Sequence, residues 1–289
     1  MTASTSTSPF TDLAPAPRAD AEAVAACLCG RGRVGIAYSG GVDSAVLLAV
    51  AVRALGADQA VGLLAVSASL PDRERRSAHR TAAQIGAQVV EFATHENQRA
   101  AYRANAADRC FHCKDELFTV IDTQLVDRWE LAAIAYGENA DDAGRADRPG
   151  SGAAADHAVL RPLAEARLTK DRVRNLARAL GLAAADKPAA PCLASRIPHG
   201  EVVTPETLRQ VERAEDALLA LGFDDCRVRH HGETARIEVP TEDLVRFADV
   251  ATRQAALEQV RRAGFRYVTL DLAGLQSGAF TLQVVRARG

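Results

Sequence analysis

Short apolar runs alternate with longer amphipathic stretches along the first half of this chain. Residues 34–38, 60–67 and 88–92 are strand-length and mostly apolar, the pattern of strands covered on both faces. Between them, residues 45–55 form an Ala/Leu/Val run of helical length. Residues 73–85 form a polar helix closed by Gly86. This β-α-β-α-β order predicts an α/β fold, a doubly wound parallel sheet with right-handed crossovers. A loop and helix carrying Cys110 and Cys113 come next. A further strand, residues 131–136, then runs into Gly137-Glu138-Asn139-Ala140-Asp141-Asp142. A Gly-, Pro- and Asp-rich stretch to about His157 reads as a loop, and residues 169–180 as a helix with Thr169 or Lys170 near its start.

Past a proline-rich connector, residues 186–199, the pattern changes. Residues 205–221 read as a helix with Leu208, Val211, Leu218 and Leu221 among its apolar positions. Residues 227–231 and 234–239 read as a hairpin about Gly232-Glu233, and two helical stretches and a strand at 266–270 complete a small α+β unit. The expected organisation is a tail at residues 1–20, a nucleotide-binding domain at 21–199 and an α+β domain for substrate binding or oligomerisation at 200–289. The tail, rich in Thr, Ser, Pro and Ala, reads as disordered. It has no positive segment followed by an apolar core, so it is not a secretory signal.

Composition narrows the function classes. A formal charge of −2 over 289 residues supplies no global basic field for nucleic acid. No apolar run approaches a membrane span, and a cytoplasmic protein is expected. Six cysteines in an intracellular chain of this size point to metal, sulfur chemistry or burial rather than to a disulfide framework.

The strongest chemical signal is Ser39-Gly40-Gly41-Val42-Asp43-Ser44, set between the first strand and the first long helix. Glycines let the backbone approach a ligand, free N–H groups point outward, and the helix dipole favours an anion. Ser39 and Ser44 can donate to phosphate oxygens, whereas Asp43 suits Mg²⁺. The spacing is neither GxGxxG nor GxxxxGK[ST], which disfavours a dinucleotide fold and a Walker loop. The motif resembles the pyrophosphate loop (PP-loop) of the N-type ATP pyrophosphatases. That resemblance implies adenylation of a substrate oxygen, with ATP cleaved to AMP and pyrophosphate.

Other motifs carry weaker signals. Gly137 and Asn139, with Asp141 and Asp142, sit at a strand's carboxyl end on the same rim as the loop, suited to Mg²⁺ or a ribose. Arg109-Cys110-Phe111-His112-Cys113-Lys114 holds a lone CxxC that could be redox-active, metal-binding or structural. Cys192 lies in Pro191-Cys192-Leu193-Ala194-Ser195-Arg196-Ile197-Pro198, an ordered loop that presents the thiol, and Arg196 nearby would favour the thiolate. Cys27, Cys29 and Cys226 read as core or incidental. Arg227 and Arg229, alternate residues on a strand, share a face and with Arg196 are candidates for a phosphate.

Taken together, SGGVDS, RCFHCK, GENADD, KPAAPCLASRIPHG and RVRHHG resemble the LarE family of ATP-dependent sulfur transferases. The resemblance implies a substrate, pyridinium-3,5-dicarboxylate mononucleotide, whose carboxylates become thiocarboxylates in nickel-pincer nucleotide assembly for lactate racemase and related enzymes. It implies that Cys192 is the sulfur donor. Two routes remain open at this level: a sacrificial cysteine that ends as dehydroalanine, or a [4Fe–4S] cluster on Cys110, Cys113 and Cys192 that carries an extra sulfide. ATP and Mg²⁺ are the other cofactors implied, with a homo-oligomer and transient contact with other cofactor-assembly proteins. The alternatives are another PP-loop adenylating enzyme, such as a tRNA thiolase or amide synthetase, and a non-catalytic ATP-binding module.

Overall fold

A computed structural model of the chain describes residues 8–143, 150–188 and 190–275. The elements run α1 (Pro15–Leu28), β1 (Val34–Ala37), α2 (Val42–Leu55), β2 (Ala60–Val66), α3 (Asp72–Ile85), β3 (Gln88–Ala93), α4 (Ala100–Arg103) and α5 (Arg109–Val120). They continue with β4 (Ala133–Tyr136), α6 (Ala140–Ala143), α7 (Gly150–Asp156), α8 (Pro162–Glu165), α9 (Lys170–Ala179), α10 (Pro205–Ala220), β5 (Arg227–His231), β6 (Thr234–Glu238), α11 (Val250–Arg262) and β7 (Tyr267–Leu270).

The described chain forms two compact units. The first comprises residues up to Ser67, Asp72–Thr94 and Cys113–Ala190; the second comprises Ala68–Pro71, His95–His112 and residues from Pro191. Where one cut near residue 200 was expected, the second unit takes in two earlier segments, and the division passes through α5.

The first unit carries a four-stranded sheet in the order β3-β2-β1-β4, parallel throughout. Its inner strands are apolar because both faces are covered: Val34, Ile36, Val61, Leu63 and Leu64 are buried, as is most of α2. Strands β2 and β3 lie on one side of β1 and β4 on the other. Chain order therefore reverses between β1 and β4, and a crevice opens beyond their carboxyl ends.

Two expectations about this unit change. Residues 1–7 lie outside the described residues, but from residue 8 onward the disordered tail is corrected. Phe10 and Leu13 are buried, Arg53 stacks on the Phe10 ring, and α1 begins at Pro15 with proline in its first turn. Two apolar anchors were hidden in a Thr/Ser/Pro background. The loop expected up to His157 contains two short helices, α6 and α7; residues 144–149 within it lie outside the described residues.

The second unit is α+β. β5 and β6 pair antiparallel and β6 and β7 pair parallel, in the order β5-β6-β7. α10 buries Leu208, Val211, Ala214 and Leu218 at helical spacing and starts in a capping box between Thr204 and Thr207, with Pro205 at the first position. No helix among the described residues is long and apolar enough to cross a membrane.

Candidate active site

In the first unit, Gly41 is the residue preceding α2, and no side chain caps the helix. Its first-turn N–H groups therefore face the loop, the arrangement that binds anions. The hydroxyls are held in place. Ser44 Oγ donates to Gly41 O at 3.0 Å, accepts from Ser39 N at 3.2 Å, and lies 3.2 Å from Ser39 Oγ. Gly40 has a φ of +73°, and a Cβ there would lie 2.7 Å from the Ala78 Cβ of α3. The same α3 turn takes a hydrogen bond from Tyr38 Oη to Ala78 O at 2.8 Å, and burial pushes the Tyr38 hydroxyl up to about 12. The loop is thus seated on Ala78 from two sides.

The end of β4 completes this rim. Ala37 and Tyr136 are register partners, so Gly137 comes level with the start of α2. A Cβ on Gly137 would lie 2.8 Å from Ser44 N and 2.9 Å from Asp43 C, so only glycine allows this approach. Asn139, buried, then links the acids: its Nδ2 donates to Asp43 Oδ1 at 3.3 Å and to Asp142 Oδ2 at 3.1 Å, while its Oδ1 accepts from Asp142 N. Lys170 joins from the start of α9. Its Nζ donates to Asp43 Oδ2 and its N–H to Asp141 Oδ2 at 2.7 Å.

In the second unit, Cys192 is exposed and immediately precedes a 3₁₀ turn, Leu193–Arg196. Two buried arginines hold this loop. The Arg196 guanidinium forks onto Glu215 at 2.8 and 3.1 Å, and its Nη1 donates to Pro191 O, Cys192 O and Ser195 Oγ. Arg229 forks onto Glu238 at 3.0 and 2.8 Å, and its Nη1 donates to Ser195 O. Leu193 N also donates to Ser69 O, whose own hydroxyl donates to Glu96 and lies 2.6 Å from Tyr102 Oη.

Comparison with known proteins decides the family. Residues 20–140 match the asparagine synthase family. The pyridinium-3,5-bisthiocarboxylic acid mononucleotide synthase of Lactiplantibacillus plantarum is 33% identical over 259 residues, 89% of this chain and 91% of that protein. The chain belongs to the LarE family. An uncharacterized protein of Synechocystis sp. is 41% identical over 248 residues, 84% of this chain and 90% of its own length. Another, from Methanocaldococcus jannaschii, is 25% identical over 168 residues, 58% and 64% of the two chains.

LarE proteins are ATP-dependent PP-loop sulfurtransferases of nickel-pincer nucleotide synthesis, and the first unit of this LarE protein brings together Ser39, Gly40, Gly41, Asp43, Ser44, Gly137, Asn139, Asp141 and Asp142. Each of the three candidate arginines has an acidic partner. Arg196 is 1% exposed and Arg229 5%, each fully matched by a buried carboxylate. Both also donate to the Cys192 loop, Arg196 to Pro191 O and Arg229 to Ser195 O. Arg227 pairs with Asp225 and donates to Cys226 O. The CxxC straddles the division of the chain: Cys110 belongs to the second unit with Cys192, Cys113 to the first. Among the described residues no three His, Cys, Asp or Glu side chains are grouped to hold a metal, and the three-thiolate cluster is left without support.

Sequence reasoning did not single out a role for Lys170 or Arg109. The signal for Lys170 was present: a cation in the first turn of a helix opposes the dipole and calls for a nearby acid. Arg109, 7% exposed, donates to Asn105 Oδ1 and to Ala194 O at 2.8 Å, and nothing local in RCFHCK foretold that contact.

Proposed function

We propose that this LarE protein, in the cytoplasm, adenylates the carboxylates of pyridinium-3,5-dicarboxylate mononucleotide and converts them to thiocarboxylates with sulfur from Cys192. The observation that carries the reading is a thiol presented on a doubly braced loop, in a chain that also holds an uncapped, hydroxyl-flanked helix N-terminus. The first feature suits a sulfur nucleophile and the second a triphosphate.

A carboxylate resists attack because oxide is a poor leaving group. In this reading Ser39, Gly40, Gly41 and Ser44 hold the ATP phosphates through hydroxyls and first-turn N–H groups. The substrate carboxylate displaces pyrophosphate at the α-phosphorus, giving an acyl-adenylate, with AMP and pyrophosphate as products of the whole sequence. Lys170, drawn to the loop by Asp43, neutralises the charge that gathers on the departing pyrophosphate. Asp43 and Asp142, linked by Asn139, offer the oxygen-only donors that Mg²⁺ takes, with Asp141 beside them, and the ammonium at Asp43 already marks that carboxylate as a cation seat. Bound there, Mg²⁺ supplies charge neutralisation on the triphosphate.

The Cys192 thiolate then attacks the acyl carbon and AMP leaves, forming a thioester. Loss of the Cys192 α-proton with cleavage of its Cβ–S bond releases the thiocarboxylate and leaves dehydroalanine, so each protein delivers one sulfur. We route no step through a cluster. For the 5′-phosphate we retain Arg227, which pairs with Asp225.

The test is incubation with Mg·ATP and the dicarboxylate mononucleotide, reading pyrophosphate, AMP and thiocarboxylate by mass spectrometry. Pyrophosphate release that ignores the mononucleotide would sink the substrate assignment.

A further inference from the structure

Asn105 stands in the turn between α4 and α5, in the early segment that folds with the second unit. Among the described residues four non-glycine residues have a positive φ, and Asn105, at +53°, is the only one of the four that is buried. A left-handed residue with a side chain is strained unless its surroundings hold it, and such residues gather where position matters. Asparagine tolerates the conformation and brings two side-chain donors and an acceptor with it.

Each of these groups is engaged. Asn105 Nδ2 donates to Ile197 O at 3.3 Å and to Pro198 O at 2.7 Å, and Oδ1 accepts from Arg109 Nη1. The Asn105 carbonyl accepts from Gly200 N at 3.2 Å and lies 3.0 Å from His199 Nδ1. Residues 197–200 therefore close on one buried residue. They form the stem that leads from the 3₁₀ turn after Cys192 to the cap of α10 at Thr204. Val203 N adds a bond to Arg103 O at 3.0 Å. Nearer the thiol, Arg109, which also hydrogen-bonds the Cys110 side chain, donates to Ala194 O, and Ser69 O holds Leu193 N.

We infer that Asn105 is a positioning residue for sulfur transfer: it fixes the stem of the Cys192 loop, and through it the place of the thiol, while its own side chain is fully buried. A nucleophile misplaced by about 1 Å can lose about a hundredfold in rate. When the thiol arrives late, water attacks the acyl carbon of the adenylate instead. The bond from that carbon to the AMP oxygen breaks, and carboxylate and AMP form without thiocarboxylate. The inference rests on the proposed role of Cys192 as sulfur donor.

The experiment is a first turnover of the full-length protein, in excess over the dicarboxylate mononucleotide, with Mg·ATP, reading thiocarboxylate formed per pyrophosphate released. A smaller folded fraction lowers both amounts together and leaves the ratio alone, whereas a misplaced thiol lowers the ratio. Asn105→Gly accepts the left-handed turn but removes the side chain, and should lower the ratio about tenfold. Asn105→Asp keeps the size and the acceptor for Arg109 but puts an oxygen where Nδ2 stood, and should lower it by a similar factor. A wild-type ratio in either variant overturns the inference and leaves the role of Cys192 intact. A wild-type protein that forms no thiocarboxylate sinks both. If neither variant folds, amide hydrogen exchange of the wild type decides. Protection of the Gly200 and Val203 N–H groups supports the grip, and exchange at the free-chain rate rejects it.

Discussion

Lys170 Nζ donates to Asp43 Oδ2 across 127 residues of sequence, joining the first turn of α9 to the first turn of α2. Each helix N-terminus repels a cation and attracts an anion, so a lysine here is tolerable only because Asp43 and Asp141 surround it. The pair ties the phosphate loop to the acids of the β4 rim.

Asp43→Asn should fold normally yet lose substrate-dependent pyrophosphate release by about a hundredfold or more, since it removes both the cation seat and the partner of Lys170. Pyrophosphate release at the wild-type rate would remove Asp43 from the chemistry. Lys170→Ala should lower the rate of release more than it weakens ATP binding, a split that titration beside kinetics will show.

Two glycines of the same site should separate folding from binding. Gly137→Ala drives a methyl against the Ser44 N–H at 2.8 Å, where backbone cannot yield cheaply, and should cost about 1–3 kcal/mol in a denaturant melt. Gly41 meets only Ser39 Oγ, at 3.5 Å, so Gly41→Ala should change stability by less than about 0.5 kcal/mol while weakening ATP binding. Parallel losses of stability at both positions would contradict this division.

Cys192→Ala should still release pyrophosphate but form no thiocarboxylate. Wild-type protein after one turnover should be about 34 Da lighter by intact mass, the loss of H₂S from cysteine. Cys110→Ala and Cys113→Ala should each keep that single round. Loss of transfer in either, together with bound iron, would restore the cluster route.

The Arg196–Glu215 pair offers a stability test. Glu215 also accepts from Val228 N, so Glu215→Gln leaves a buried guanidinium short of its anion and should destabilise by about 3–5 kcal/mol. The double variant Arg196→Met, Glu215→Leu should regain part of that loss. A melt in which the double variant is the weaker would show that the pair is net stabilising.

His157 bridges two acids, Asp122 at 2.6 Å and Asp115 at 3.2 Å. Burial lowers its pKa, but the hydrogen bonds and charges of Asp122 and Asp115 raise it above the ordinary value on balance. A group whose folded pKa is raised stabilises fully below its unfolded pKa, roughly 6.5, and that stability is lost as pH rises through the folded pKa. His157→Gln should therefore lower Tm more at pH 6 than at pH 9. An equal drop at both would assign His157 to packing against Phe118.

Local pattern was enough for the elements and for the chemistry of their ends. Apolar runs of strand length, the helix that follows Gly41 and the starts of α9 and α10 are each decided within a few residues, and they appear close to where the periodicity put them. The phosphate loop was legible for the same reason, because its glycines and hydroxyls act through the turn they build. The partners of charges were not legible. Whether Arg196 and Arg229 meet a phosphate or a buried glutamate depends on where α10 and β6 return, 19 and 9 residues away, and Lys170 finds Asp43 only once β4 and α9 are packed against α2. Phe10 and Leu13 likewise look like tail until α2 gives them a surface. Periodicity reports which face of an element is apolar; it carries no record of which element covers that face, and buried charge is settled by that neighbour. The sequence by itself therefore determined the parallel sheet, the anion-binding loop and the presented thiol, while tertiary packing alone decided which acid each buried cation meets, as Glu215 meets Arg196 and Glu238 meets Arg229.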